Sequence, residues 1–178
     1  MVQFFTQNAL SGGWEIQTVR ATTTPFCQFT DTKSVVDQVV NLEKNILDRG
    51  FDYLSIGPAR ISDTTTYEII PSILSATRNV FTSAFIAHPY KGISTKVLNA
   101  TAHIIHSAAR ISPDGFANLR FCAMSHVQPF TPFFPAAYSY GSGLSFALAI
   151  QGADAAIHAF SSADNIQDAQ EKLSNSLK

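Results

Sequence analysis

The side chains best suited to chemistry fall into two groups. One lies inside short stretches rich in apolar and β-branched residues: Arg20 between Val19 and Ala21, and Asn118, Arg120 and Cys122 within Phe116 to Met124. The other follows such stretches: His88, His126 and Tyr138. A guanidinium grips a carboxylate or phosphate through two parallel N–H donors. An imidazole moves protons near neutral pH, and a thiolate is a nucleophile. The chemistry expected from these residue types is capture of a small anionic metabolite by Arg20, Arg120, Asn118 and His88, with His126, Cys122 and Tyr138 as catalytic candidates.

Each candidate also has a structural reading. Two guanidiniums buried without partners would be very costly, so Arg20 and Arg120 must meet either an anionic ligand or internal carboxylates, for which Glu15, Asp52 and Asp114 are available. Cys122 has no activating neighbour in sequence and reads first as a small core thiol, with the nucleophile as the alternative. His88 and His126 read first as packed or solvated side chains, with a proton-transfer role as the alternative. His103 and His106 are three apart on a helical stretch, a spacing that reads as surface imidazoles, and no metal is expected. Gly141-Ser142-Gly143 is too short for a phosphate loop, and no P-loop, GxGxxG, GxSxG or HExxH occurs. The cofactor is left unknown.

Five stretches read as the strands that must position these residues: Glu15 to Thr23, Asp52 to Ile56, Val80 to Ala87, Phe116 to Met124 and Leu144 to Ile150. A helix is predicted after Asp31 as its N-cap, with Val35, Val36, Val39, Val40, Ile46 and Leu47 on one face and Gly50 ending it. A second follows Thr64 to Thr66, carrying Tyr67, Ile70, Ile73 and Leu74, and a third runs from about Ser94 to Ala109. Strand, crossover helix, strand forces parallel pairing. The proline- and aromatic-rich run from Gln128 to Pro135 should be an ordered, packed loop, and Ile166 to Leu177 a terminal amphipathic helix.

Splitting the strands by alternation places apolar residues on one face and polar or small ones on the other, save in Val80 to Ala87, where Thr82 and Ser83 leave the two faces ambiguous. Ala117, Leu119, Phe121 and Ala123 oppose Asn118, Arg120 and Cys122; Leu144, Phe146, Leu148 and Ile150 oppose Ser145, Ala147, Ala149 and Gln151. A sheet covered by helices on both faces would read apolar throughout. The expectation is therefore an α/β fold with a mainly parallel, curved sheet, helices outside and a barrel or cleft inside. Ligands in such folds bind beyond the carboxyl ends of the strands, here at Thr22, Gly57, Arg60, His88, His126 and Gln151.

The chain has 178 residues, 46% of them hydrophobic, enough for a single domain over 1–178. Twelve Lys and Arg against thirteen Asp and Glu give a charge of -1, which argues against nucleic-acid and anionic-membrane partners. Cys27 and Cys122, far apart and in no CxxC, read as free thiols. Met1 to Gln7 lacks the basic flank and apolar run of a leader, and no stretch approaches a membrane span. A cytoplasmic location is expected.

Ile16-Gln17-Thr18-Val19-Arg20, Asp52-Tyr53-Leu54-Ser55-Ile56-Gly57, Asn118-Leu119-Arg120-Phe121 and Pro132-Phe133-Phe134-Pro135-Ala136-Ala137-Tyr138 occur in that order. Together, over roughly Glu15 to Ala159, they resemble domain-of-unknown-function family 711. The resemblance implies an α/β barrel with pyruvate formate-lyase-like architecture, without implying radical chemistry, since no glycyl or thiyl motif surrounds Gly141 or Cys122. Members of that family are longer, so this chain would form about half of a barrel. The implied partner is a second copy, as a homo-oligomer, or a second chain completing the barrel. The functional expectation is an enzyme or enzyme half acting on a small polar or anionic metabolite at a barrel mouth, with a non-catalytic ligand-binding or assembly subunit as the alternative.

Overall fold

The computed structural model describes residues 15–28, 34–90 and 92–176. They divide into two compact units, within residues 1–147 and 148–178. In the first, strands β1 (Arg20–Thr22), β2 (Tyr53–Ala59), β3 (Val80–Phe85) and β6 (Phe121–Met124) form a parallel sheet in the order β1-β2-β3-β6. Helices α1 (Val35–Leu47), α2 (Thr65–Ala76) and α3 (Thr95–Ala108) are the crossovers. A short antiparallel pair, β4 (Ala87–His88) with β5 (Gly92–Ile93), follows β3. The α/β class with a mainly parallel sheet and alternating helices is as the sequence predicts.

The apolar periodicity works as expected on one face. Leu54, Ile56 and Ala59 of β2, Val80 and Ala84 of β3 and Phe121 of β6 pack against Val35, Val39 and Ile46 of α1, Tyr67, Ile70, Ile73 and Leu74 of α2, and Val97, Ile104 and Ala108 of α3. All three helices thus cover the same face. Gly50, at φ 85, closes α1 by donating to the carbonyl of Leu47 at 2.9 Å. The proposed N-cap Asp31 lies outside the described residues; Ser34 occupies the N-cap of α1.

Two predicted strands are corrected. Phe116 to Arg120 is not strand but a 3₁₀ turn, and β6 begins only at Phe121. The Asp114 carboxylate accepts the Phe116 N–H at 3.0 Å and Gly115 sits at φ 70, so the chain coils before it extends. In a 3₁₀ turn residues three apart share a side, which buries Ala117 and Arg120 together and breaks the alternation assumed for Asn118, Arg120 and Cys122.

Leu144 to Ile150 is the second correction: the segment carries no strand and its residues are exposed. Its alternating pattern suits a sheet edge, yet among the described residues β6 is paired to β3 alone. The unit within 148–178 is a pair of packed helices, α4 (Ala153–Ser161), absent from the sequence-based expectation, and α5 (Ile166–Ser176), which is present as expected. Small buried residues, Ala159 and Ala169, permit close approach. The Asn165 side chain accepts the Asp168 N–H at 3.0 Å while the Asp168 carboxylate accepts the Asp164 N–H at 3.0 Å, a reciprocal cap. Lys172 bonds that carboxylate at 2.8 Å and holds its pKa below the ordinary value.

Candidate functional site

The face of the sheet opposite the helices presents Tyr53 and Ser55 from β2, Phe81, Ser83 and Phe85 from β3, and Cys122 and Met124 from β6. The proline-rich run covers part of it. The Ser55 hydroxyl donates to the carbonyl of Ala137 at 2.6 Å. Phe81 meets Tyr53 on one side and Phe134 on the other, edge to face, each at 5.3 Å, and Phe85 meets Tyr138 in the same way at 5.9 Å. Tyr138 donates its hydroxyl to the carbonyl of Val127 at 2.9 Å, and its own carbonyl accepts the Phe130 N–H at 2.8 Å. The loop is ordered and packed, as its composition predicts, and Tyr138 is part of its frame.

Arg20 is exposed, with its guanidinium carbon 5.2 Å from the Phe134 ring centre and 5.8 Å from that of Tyr53. Its Nε donates to the Thr18 hydroxyl at 2.9 Å.

Arg120 lies elsewhere. Buried at the amino ends of β3 and β6, it donates through Nη2 to the Leu74 carbonyl at 2.6 Å and through Nη1 to the carbonyls of Thr77 at 2.9 Å and Val80 at 3.3 Å. These are the carbonyls with which α2 ends and β3 begins. Desolvation pulls the Arg120 pKa down, and the Glu43 carboxylate pushes it back up. Arg20 and Arg120 therefore do not share an inner face.

The three carboxylates considered as arginine partners are not bonded to these guanidiniums. Asp52 accepts the Val19 N–H at 2.7 Å, Asp114 the Phe116 N–H, and Glu15 is exposed. Glu43 accepts the N–H groups of Arg78 at 2.9 Å and Asn79 at 2.6 Å. A cleft of about 400 Å³ opens beside Arg120, lined also by Thr77, Arg78, Ser112, Asp114 and Phe116. It lies at the amino ends of the strands.

At the carboxyl ends a different set converges. Gly57 adopts φ +72, and a Cβ there would fall 2.8 Å from the backbone of Pro25 and from the Thr24 carbonyl. The glycine, together with the register shift between Ser55 and Pro58, lets the chain leaving β1 fold directly over the end of β2. Cys27 is thereby set near Arg60, the residue after β2. The Arg60 charge lowers the pKa of both Cys27 and Tyr138, although burial outweighs it and both groups end above their ordinary values. Asp63 acts on Cys27 in the opposite sense and accepts the Thr65 N–H and hydroxyl at the start of α2. The Ser139 N–H donates to Thr23 at 2.9 Å, tying the aromatic loop to the same edge.

The two imidazoles follow the carboxyl ends of β3 and β6. His88 accepts the Tyr90 N–H at Nδ1, 3.1 Å away. His126 is exposed at φ 57, with Nδ1 2.7 Å from the Ser125 hydroxyl. Burial raises the Cys122 thiol from 9.0 to about 11, so it is protonated at neutral pH and poorly suited to attack. Asn118 has a buried Oδ1 without a hydrogen-bond donor. His103 and His106 are exposed on α3, and among the described residues no group of three His, Cys, Asp or Glu could hold a metal ion.

Of the predicted site residues, the structure brings Tyr138 to the Arg60 edge, sets His88 and His126 beyond strand ends, and separates Arg120 and Asn118 from them. Cys27 and Asp63 were missed by sequence reasoning, and Arg60 was placed at a strand end without a role. The signal that could have found them is Gly57 inside an apolar strand, which marks a close backbone approach.

A parallel sheet with alternating helices packed on one face defines a protein of the α/β class. The chain belongs to the family described as Uncharacterised ACR (DUF711), whose family model matches residues 1–178. No curated protein matches it.

Proposed function

We propose that the chain holds a small anionic metabolite, a carboxylate or phosphate, at the carboxyl edge of its sheet, with Arg60 as the principal anchor and Tyr138 and Cys27 beside it. The observation that carries this reading is the placement of Arg60: its charge reaches both groups, and among the described residues its guanidinium has no hydrogen bond or ion pair. The start of α2 follows within five residues, and a helix N-terminus favours negative charge. His126 and His88, also beyond strand ends, are the imidazoles of this edge. Arg20, exposed over Phe134 at the amino end of β1, in register with Tyr53, is the cation of the alternative site.

Thermal unfolding with inorganic phosphate and with small carboxylates tests the proposal, because a ligand that binds only the folded chain raises its melting temperature. The expected result is a dose-dependent rise in the unmodified chain, lost in Arg60→Met and retained in Arg120→Lys. Loss in Arg20→Met with retention in Arg60→Met would move the site and overturn the assignment.

The second reading is an assembly subunit: the four-stranded sheet is one wall of a barrel that another chain completes. The exposed apolar segment at Leu144 to Ile150 favours it. A cytosolic setting suits the free thiols Cys27 and Cys122, and among the described residues no helix is long and apolar enough to cross a membrane.

A further inference from the structure

The segment Leu144 to Ile150 has the composition of a strand and the exposure of a tail. Leu144, Phe146, Leu148 and Ile150 are 96%, 81%, 79% and 58% exposed. They alternate with Ser145, Ala147 and Ala149, so an extended chain would carry one wholly apolar row and one row of small side chains. Four large apolar residues shown to water in a row of seven are costly to a solitary chain, and such a row marks a surface to be covered.

The same chain offers a place for it. Among the described residues β6 is the last strand of the sheet and is paired only to β3, so among them its outer side is an open edge. That edge is apolar: Phe116 and Leu119, in the turn that leads into β6, are exposed, as is Ile105 on α3, the helix that packs against that turn. The opposite edge, β1, carries Arg20 and Thr22 outward instead. A strand beside β6 would set its apolar row on the side of Phe121 and Ala123, toward Leu119 and Ile105. Its small row would lie on the side of Cys122 and Met124.

From this we infer that Leu144 to Ile150 is a donated strand that pairs with the β6 edge of a second copy of the chain, each copy giving one strand and receiving one. Donor and acceptor on the same polypeptide make the contact self-complementary, which is the condition for a closed two-fold dimer. Two reciprocal strand contacts of this length would bury on the order of 2,000 Å², within the range of stable dimers. The inference is independent of the anion site.

Disulfide trapping tests it. In a chain with Cys27→Ser and Cys122→Ser, the added pair Ala123→Cys and Phe146→Cys places one thiol on β6 and one on the apolar row of the donor, on the same side of the sheet. Mild oxidation should give a crosslinked species of twice the chain mass, with the peptides carrying positions 123 and 146 joined. A crosslinked monomer would show that the strand pairs within its own chain, and an uncrosslinked product that it does not reach β6; either overturns the inference. As a second measurement, Leu148→Glu should lower the mass found by light scattering at micromolar concentration from two chains to one, with circular dichroism unchanged. An unmodified chain that is monomeric under the same conditions also overturns it.

Discussion

Arg120 and Arg60 stand at opposite ends of one sheet, and their surroundings differ in what decides whether a guanidinium can take a ligand. Arg120 is buried and gives its N–H groups to the carbonyls of Leu74, Thr77 and Val80. Arg60 is half-buried, and its charge falls on Cys27 and Tyr138. The direction of the strands explains the difference. In a parallel sheet the amino ends of strands meet the carbonyl ends of the preceding helices, which attract and consume a cation. The carboxyl ends meet helix starts, whose N–H groups offer a guanidinium nothing and favour an anion instead. An arginine at the first end closes the fold; one at the second is left for a partner from outside.

The largest effect should come from breaking the structural arginine. Arg120→Met removes the donors to three carbonyls, and hydrogen bonds from a charged group contribute about 1.5 to 3 kcal/mol each way they are counted, so a loss of about 3 kcal/mol is expected in urea unfolding. Phosphate binding by the folded fraction should not change. A variant as stable as the parent would mean that the carbonyls find water at no cost and would remove the contrast between the two ends.

Next in size is Gly57→Ala. The added Cβ must enter a left-handed backbone conformation and meet Pro25 and Thr24 at 2.8 Å, and about 2 to 4 kcal/mol is expected, the larger part from the backbone contact. Because the chain after β1 would be displaced, Cys27 should also alkylate faster than in the parent at neutral pH. Destabilisation without a change at Cys27 would show that the crossing over β2 does not set the edge.

How much of this was legible can be judged from the same residues. The helices and the core face followed from periods of 3.6 and 2, because burial against a sheet enforces both. The apolar strand residues Leu54 and Ile56 were readable for that reason, whereas Thr82 next to Ser83 hid the two faces of β3. The role of Arg120 was not, since alternation through Asn118, Arg120 and Cys122 is what a strand and a turn entering a strand have in common over five residues. Ser112-Pro113-Asp114-Gly115 was the sign of the turn. Leu144 to Ile150 failed differently: the pattern is that of a strand, but pairing depends on an edge that sequence cannot locate. The Cys27, Arg60 and Asp63 cluster depends on a register shift in β2, which is a tertiary property.

A smaller effect should appear in alkali. Burial raises the Cys122 thiol from 9.0 to about 11 and the Tyr67 hydroxyl from 10.0 to about 12. In both cases the folded chain holds its proton more tightly than the unfolded chain. The contribution is therefore fully present below pH 9.0 and is lost as pH rises from there through about 11 for Cys122, and from 10.0 through about 12 for Tyr67. Unfolding free energy should fall across this window, and Cys122→Ala should flatten its lower part while leaving the Tyr67 part. An equal slope in both chains would show that Cys122 is not desolvated.

The smallest effect on stability, and the sharpest on the contrast, belongs to Arg60→Met. Among the described residues no carbonyl or carboxylate bonds this guanidinium, so its removal should leave unfolding within about 0.5 kcal/mol of the parent. Its electrostatic effect should survive as a reactivity change. The Arg60 charge lowers the Cys27 pKa against the larger effect of burial, so without it the thiol rises further and less thiolate is present at any pH near 8. Since the thiolate is the species that alkylates, Cys27 should react more slowly with iodoacetamide in Arg60→Met, read as peptide labelling by mass spectrometry. Cys122 on the same molecule serves as an internal control, because its thiol is raised by burial alone. Slowing at Cys27 and not at Cys122, at unchanged stability, is what a cation held in reserve at the carboxyl edge requires; equal rates at Cys27 would detach Arg60 from that edge.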